Sequence, residues 1–368
     1  MIYRISNRMW RNTSGLGIGL SAVLSLHYSK GIPAAATAMQ NIRLSSNFEI
    51  PTVGLGTWQS GPEEIEKAVE AALENGYRHI DTAFNYNNEE AIGRSLKKWF
   101  DKGGQRRDLF ITSKLPHYGN RPGDVEKFIK LSLEKLQLDY LDMYLIHMPF
   151  AFVKDPNGYA PTIDPDGFYK LDLNTDPVSV WKEMEKQVKN GRAKSIGLSN
   201  FNDKQLTEIW DNADIKPSNL QIELHAYQQQ KRLRELCKGY NIAVTAYSPL
   251  ASPGAKTHFQ TKYNYNAEKF PDLLGHPVVK EIAAAHSKTT AQVLLRHLVQ
   301  AGVVVIPKSA SPQRIKENID LFDFELTQTE MNSLDVLDRG VDGRIFHFLF
   351  FKGVEKHPHY PFKDELDH

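Results

Sequence analysis

Only one cysteine, Cys237, occurs in the 368 residues, so no disulfide can form within the chain and a reducing compartment is its natural setting. The lone thiol reads as a small core residue rather than a reactive one. Excess charge is missing too: 45 Lys and Arg against 44 Asp and Glu give a formal charge of +1, which supplies no field for gathering nucleic acid or an anionic membrane. No Cys/His pattern or His-Glu-x-x-His accompanies the 13 histidines, and no metal site is expected. The Gly-x-Gly-x-x-Gly turn that announces dinucleotide binding in a doubly wound sheet is absent, since Gly15, Gly17 and Gly19 do not match its spacing. The apolar run Gly15 to Leu26 is too short to span a bilayer with confidence. What is present, 41% hydrophobic and 24% charged residues, allows a large core and points to a small molecule as partner.

Acidic residues are missing from positions 1–48, which carry Arg4, Arg8, Arg11, Lys30 and Arg43 among several serines. Such a composition suits a mitochondrial transit segment. An untargeted extension is the competing reading, and a secretory signal is third, because basic residues precede the apolar run and the Ala-rich stretch Ala34 to Ala38 follows it. Residues 1–40 are thus expected to be a leader, with the cytoplasm or mitochondrion ahead of secretion. Lys363-Asp364-Glu365-Leu366 is followed by Asp367 and His368, so it is not an exposed retrieval signal.

From about residue 50, short β-branched runs alternate with segments of helical period, the grammar of repeated βα units. The strand-like runs end near Thr57, Asp81, Lys114, His147, Asn200, Glu223, Tyr247 and Lys308. Between them, Ile65, Ala68, Val69, Ala72 and Leu73 mark one helix face closed by Gly76, and Val180, Trp181, Met184 and Val188 mark another behind the cap Asp176 and Pro177. Asp124 to Leu136, Lys204 to Asn212 and Thr289 to Gln300 read likewise. The pattern predicts a parallel (β/α)8 TIM barrel over 41–340, closed at its bottom by an N-terminal β-hairpin at Ile42 to Val53, with a C-terminal tail over 341–368 packed on it. Segments 117–123, 148–176 and 251–275 each follow a strand, so they gather at the C-terminal rim where substrates bind.

Polar residues fall in unusual places: Asp81, Lys114 and His147 each end an apolar run. In a barrel these ends are neighbours, which brings an acid, an amine and an imidazole under one rim. Each alone reads more simply as a salt bridge or cap. Together they carry a resemblance, along with Gly76-Tyr77-Arg78-His79-Ile80-Asp81-Thr82-Ala83, Tyr86, Ile111-Thr112-Ser113-Lys114-Leu115, Gly197-Leu198-Ser199-Asn200-Phe201, Ala246-Tyr247-Ser248-Pro249-Leu250 and Ile306-Pro307-Lys308-Ser309. From hairpin to tail, the chain resembles the aldo-keto reductase superfamily.

The resemblance implies NADPH-dependent reduction of aldehydes and ketones by a tetrad of Asp81, Tyr86, Lys114 and His147. Tyr86 would give the proton, Lys114 would stabilise its phenolate, Asp81 would hold Lys114, and neutral His147 would orient the carbonyl. Histidine at 147, where the related steroid double-bond reductases carry glutamate, implies carbonyl reduction. Ser199, Asn200 and Gln221 would bind the carboxamide of NADPH/NADP+, with the Tyr247 ring on its nicotinamide and Thr57, Trp58 and Asp81 near the adjoining ribose. Ser248, Leu250 and Ser252 would meet the pyrophosphate. Lys308, Ser309 and Arg314 would grip the extra phosphate, and Glu317 and Asn318 the adenine. Arg314, Lys316 and Glu317 alternatively form a solvated helix face. Where some relatives close an acid–lysine belt over the pyrophosphate, this chain has Gly254 and Gln59.

Trp58, Tyr86, Tyr118, His147 and Phe150 are the expected substrate contacts, with His117, Phe152, Phe346, Phe348, Leu349, Phe350 and Phe351 completing an apolar rim. Small carbonyl compounds suit it. His357 and His359 are expected in solvent, and the chain is expected to be a monomer. An NADPH-binding sensor or auxiliary subunit is the alternative, which the intact tetrad disfavours.

Overall fold

A computed structural model describes residues 40–156, 158–263 and 270–366. The expected leader lies, apart from Gln40, outside the described residues. A two-stranded antiparallel hairpin comes first, β1 (Asn41–Arg43) with β2 (Glu49–Pro51). Eight parallel strands then lie side by side in chain order: β3 (Leu55–Gly56), β4 (His79–Asp81), β5 (Phe110–Leu115), β6 (Leu141–Ile146), β7 (Ala193–Ser199), β8 (Asn219–Glu223), β9 (Ala243–Tyr247) and β10 (Val304–Val305). Parallel bridges from Val53 to Val305 and from Gly56 to Lys308 bring the last strand back to the first, with Gly54 N–H donating to Val305 O at 2.9 Å and Gly56 N–H to Pro307 O at 3.2 Å. This is the (β/α)8 barrel of the sequence pattern, closed at the β3–β10 seam. Gly56 is required there, because a Cβ would stand 2.5 Å from the Ile306 carbonyl oxygen.

The helices form where the sequence supplies both a buried face and an end signal. Helix α1 (Pro62–Glu74) opens with Pro62 and with Glu63 and Glu64 at its positive end, and buries Ile65, Ala68, Val69, Ala72 and Leu73. In α4 (Pro177–Lys189) the Asp176 carboxylate accepts from Val178 N–H, and in α9 (Thr290–Gln300) Thr289 and Gln292 make a reciprocal capping box. Helices α2 (Glu89–Asp101), α3 (Pro122–Leu136), α5 (Asp203–Asn212), α6 (Lys231–Gly239), α8 (Pro277–His286), α10 (Pro312–Ile319) and α11 (Gln328–Asp335) complete the outer layer. The apolar faces of α1–α6, α9 and α10 meet the outer face of the sheet in one continuous core, while α8 and α11 pack with the insertions and tail. Each large side chain buried there contributes about 1.5–3 kcal/mol. Cys237 lies in that core on α6, where burial pushes its thiol up to about 12.

Leu44 and Ile50 of the hairpin join Phe110, Met143, Leu145 and Val304 in a separate cluster that plugs the barrel at the N-terminal ends of its strands. At the other end, the insertions and tail make an aromatic layer of Phe150, Phe152, Phe259, Phe346, Phe348 and Phe362. The segment after β9 contains a further helix, α7 (Lys256–Tyr263), whose Phe259 faces Trp58 and Phe346. The tail corrects one expectation. His357 is fully buried, its Nε2 3.0 Å from Asp172 O and 3.3 Å from Ala151 N, and burial brings it down to about 4, while His359 is half-buried. The partners of its Nε2 are more than 180 positions away, so no local pattern announces them. Among the described residues, no helix is long and apolar enough to cross a membrane, and no group of three or more metal-ligating side chains is placed to hold an ion.

Candidate active site

Alternation along a strand sends successive side chains to opposite faces, so Lys114 points into the barrel while Ser113 turns out to the helices, donating to Glu89 Oε1 at 2.6 Å. Asp81, ending β4, is beside it. Lys114 Nζ donates to Asp81 Oδ1 at 2.5 Å and to Thr82 O at 2.8 Å, and Gln221 Nε2 donates to Asp81 Oδ2 at 2.7 Å. Thr57 Oγ1 donates to Asp81 O at 2.9 Å. Both ions are out of water, which is tolerable because each has partners in place. Burial lowers the Lys114 ammonium from its ordinary range, and Asp81 opposes that shift.

Tyr86 ends the 3-10 turn Phe84–Tyr86 that follows β4, and Asn87 in left-handed geometry, φ 57°, stops the turn. Its ring centroid is 5.1 Å from Lys114 Nζ and 5.7 Å from the His147 ring, which meets it edge-on at 73°. His147 Nδ1 lies 3.1 Å from Asn85 Oδ1. Burial first, then Lys114 and His117, hold the imidazole well below its usual range, so it is neutral. The four residues of the expected tetrad thus meet at one end of the barrel. In electrostatics the structure departs from expectation: burial, reinforced by Asp81, raises the Tyr86 phenol well above its ordinary value. Asp81 at 2.5 Å offsets part of the Lys114 charge, which still stands over the Tyr86 ring at 5.1 Å.

Next to this set, Tyr247 Oη donates to Asn200 Oδ1 at 2.8 Å, and Asn200 Nδ2 donates to Ser199 Oγ and His147 O, each at 3.0 Å. Ser199, Asn200, Gln221 and Tyr247 therefore form one connected group with Asp81. Left-handed geometry at Asn200 (φ 64°), Ser248 (φ 51°), Ala251 (φ 59°) and Ser252 (φ 45°) concentrates backbone strain on the loops after β7 and β9. Ser248 and Ser252 share a hydroxyl contact of 2.6 Å, and Leu250 is half-buried beside them.

A third group sits after β10. Lys308 is exposed and reaches only Glu64, at 3.6 Å, and Arg314 on α10 is exposed with no ion pair among the described residues. Ser309 and Asn318 are buried, and Glu317 accepts from Gln313 Nε2 at 2.8 Å. Two loosely held cations beside a hydroxyl are the donor set a phosphate dianion needs, so these residues fit a phosphorylated dinucleotide. Gln59 Nε2, near Trp58, is sealed from solvent without a partner.

Comparison with known proteins decides the family. A model described as Aldo/keto reductase family matches residues 52–339. The chain belongs to that family. It is similar to aldo-keto reductase family 1 member A1 of Xenopus tropicalis, 41% identical over 336 residues that cover 89% of this chain and 99% of that protein. Aldo-keto reductase family 1 member A1-A of Danio rerio is 43% identical over 87% of this chain and 98% of its own length. Among solved structures, the aldose reductase from Schistosoma japonicum superposes with a TM-score of 0.79 at 42% identity, covering 89% of this chain and all of that one.

In this aldo/keto reductase, two of the expected substrate contacts differ. Phe150 belongs to the aromatic layer over the mouth, against Phe348 and Phe351, whereas Tyr118 turns to Phe128 of α3, ring centroids 5.7 Å apart, in the core behind the sheet. Tyr118 is not brought to the tetrad. Trp58 lies edge-on to Phe346 at 5.8 Å. Three positioning residues had no place in the sequence reading: Asn85 beside His147, Asn88, and Thr82 through its carbonyl. Asn88 precedes α2, but its amide donates to Thr57 O at 2.8 Å instead of capping the helix. Only its cap-like place, two residues past the Tyr86 turn, could have drawn notice.

Proposed function

We propose that the chain reduces small aldehydes and ketones to alcohols with NADPH, Tyr86 being the general acid. The observation that carries this is the placement of the Tyr86 ring between the Lys114 ammonium, 5.1 Å from its centroid, and the His147 imidazole, 5.7 Å away. Ser199, Asn200, Gln221 and Tyr247 would hold the nicotinamide end of the cofactor, and Lys308, Ser309 and Arg314 its phosphate end. The hydride would come from the reduced nicotinamide.

A carbonyl carbon that accepts hydride leaves negative charge on its oxygen, which must be met by a proton. The raised pKa of the Tyr86 phenol keeps that proton in place at neutral pH. Lys114 then limits the energy of the phenolate left behind, its own position fixed by Asp81 and Thr82. Neutral His147 carries one N–H, and Asn85 Oδ1 at 3.1 Å draws that hydrogen to Nδ1, which would fix the ring's orientation beside the substrate carbonyl. The aromatic layer of Trp58, Phe150 and Phe346 favours carbonyls with an apolar body.

The test is cofactor oxidation, followed by loss of reduced-nicotinamide absorbance, with a panel of aldehydes and ketones. Turnover with NADPH that vanishes in Tyr86→Phe is expected. Silence of the intact protein across the panel would overturn the reading in favour of a cofactor-binding auxiliary protein.

A further inference from the structure

The tail that roofs the mouth is fastened by a carboxylate that does not face the reacting atoms. Glu223, the last residue of β8, is fully buried; its Oε1 accepts from Ile345 N–H at 2.8 Å and its Oε2 from Phe346 N–H at 2.9 Å. His225 Nε2 is 2.9 Å from Oε1. Burial works against a charge there, yet His225, Arg344 and the Phe346 amide together keep the carboxyl below its ordinary range. Bonds from N–H to an ionised carboxylate are about twice as strong as neutral ones.

Farther along, the tail is also held by Asn202 Nδ2 to Pro361 O, Gln205 Nε2 to His359 O and His357 Nε2 to Asp172 O, at least ten residues past Phe346. Arg344 grips Glu365, and Tyr360 Oη donates to His347 O, both inside the tail. Among the described residues, the two bonds to Glu223 are the hydrogen bonds that join residues 345–347 to the barrel. The ring they place matters. Phe346 lies edge-on at 5.8 Å from Trp58 and 5.8 Å from Tyr247, and 5.6 Å from Phe259 of α7, so it forms the outer wall of the mouth.

We propose that Glu223 is a positioning residue for substrate selection: by tethering the Ile345 and Phe346 amides it fixes the Phe346 wall, and so favours carbonyl compounds whose apolar body is large enough to reach that ring. This rests on the reading of the mouth as a carbonyl-reduction site. Glu223 touches neither substrate nor cofactor in this account. It acts through the tail backbone.

The experiment uses the full chain and Glu223→Gln, which keeps the shape but sets an amide NH2 against one backbone donor. Hydrogen exchange at the Ile345 and Phe346 amides is expected to quicken by about a hundredfold while strand amides keep their protection. With a benzaldehyde as bulky substrate KM should rise about tenfold, with propanal less than about twofold, and kcat should stay within about twofold for both. Phe346→Ala should give the same KM split with amide protection retained. Unchanged exchange in Glu223→Gln, or equal KM shifts for the two aldehydes, would overturn the proposal. If that variant does not fold, Ile345→Pro removes one donor from the tail side instead; Arg344 before it is already extended, ψ 130°, as a residue preceding proline must be, and the same outcomes apply with exchange read at the Phe346 amide alone. An intact protein inactive on both aldehydes would sink the carbonyl-reduction reading, while the exchange measurement still tests the tether.

Discussion

At the centre of the barrel mouth, Asp81 and Lys114 are buried, bonded to each other and held further by Gln221 and Thr82 O, whereas at the β10 corner Lys308 and Arg314 stand in solvent, Lys308 with one long ion pair to Glu64. The first arrangement is costly to assemble and rigid once made, because an ion stripped of water tolerates no loss of its partner. The second costs the fold almost nothing and leaves its charge free for a ligand. On the proposed function, chemistry that requires fixed geometry and binding that requires available charge would be housed apart, and substitutions in the two places should fail differently.

The largest effect belongs to the centre. Tyr86→Phe is expected to lower kcat by about 10² to 10⁴ while leaving NADPH affinity, measured by fluorescence titration, nearly unchanged. Lys114→Met should cost comparable turnover and, in addition, about 3–5 kcal/mol of stability by stranding Asp81, readable as a lower Tm. Adding Asp81→Asn to that variant should return part of the lost stability but no activity, and simple additivity of the two stability losses would contradict the pairing.

At the corner the pattern reverses. Arg314→Ala should weaken NADPH binding by about ten- to a hundredfold and NADH binding hardly at all, with Tm unmoved. Equal losses for the two dinucleotides would place the phosphate elsewhere. The smallest effect is on acid stability. Burial brings His117 at the mouth down to about 3 and His79 below it to about 4. The unfolded chain binds protons below about 6.5 and these folded imidazoles do not, so stability falls as pH drops from there, by up to about 1.4 kcal/mol per unit for each ring. His117→Phe should therefore lose less Tm between pH 7 and pH 5 than the parent, whereas Arg314→Ala should follow the parent.

Asp81, Lys114 and His147 were legible because each is a polar side chain at the end of an apolar strand, a placement that period alone exposes. The barrel was legible for the same reason. The hairpin plug and the caps Asp176 and Thr289 carried local signals that the fold uses as written. What could not be read depends on partners far along the chain. Glu223 looks like any strand-end acid until the tail, more than 120 positions later, closes on it, and His357 looks like a tail residue in solvent until Asp172 and Ala151 cover it. Tyr118 differs for another reason: a ring next to the rim can turn either way, and here it packs on Phe128. The resting state of Tyr86 depends on burial, which no motif encodes.

The seam at Val53–Val305 and Gly56–Lys308 joins the two shortest staves of the cylinder, segments separated by nearly the whole described sequence, with Tyr77 Oη donating to Ile315 O at 2.9 Å as an outside clasp. Such distant contacts are the last to repay their loop entropy. Lys308 thus takes up its station only once β10 has met β3 and the hoop has shut, whereas Asp81 and Lys114 pair across neighbouring strands early in the chain.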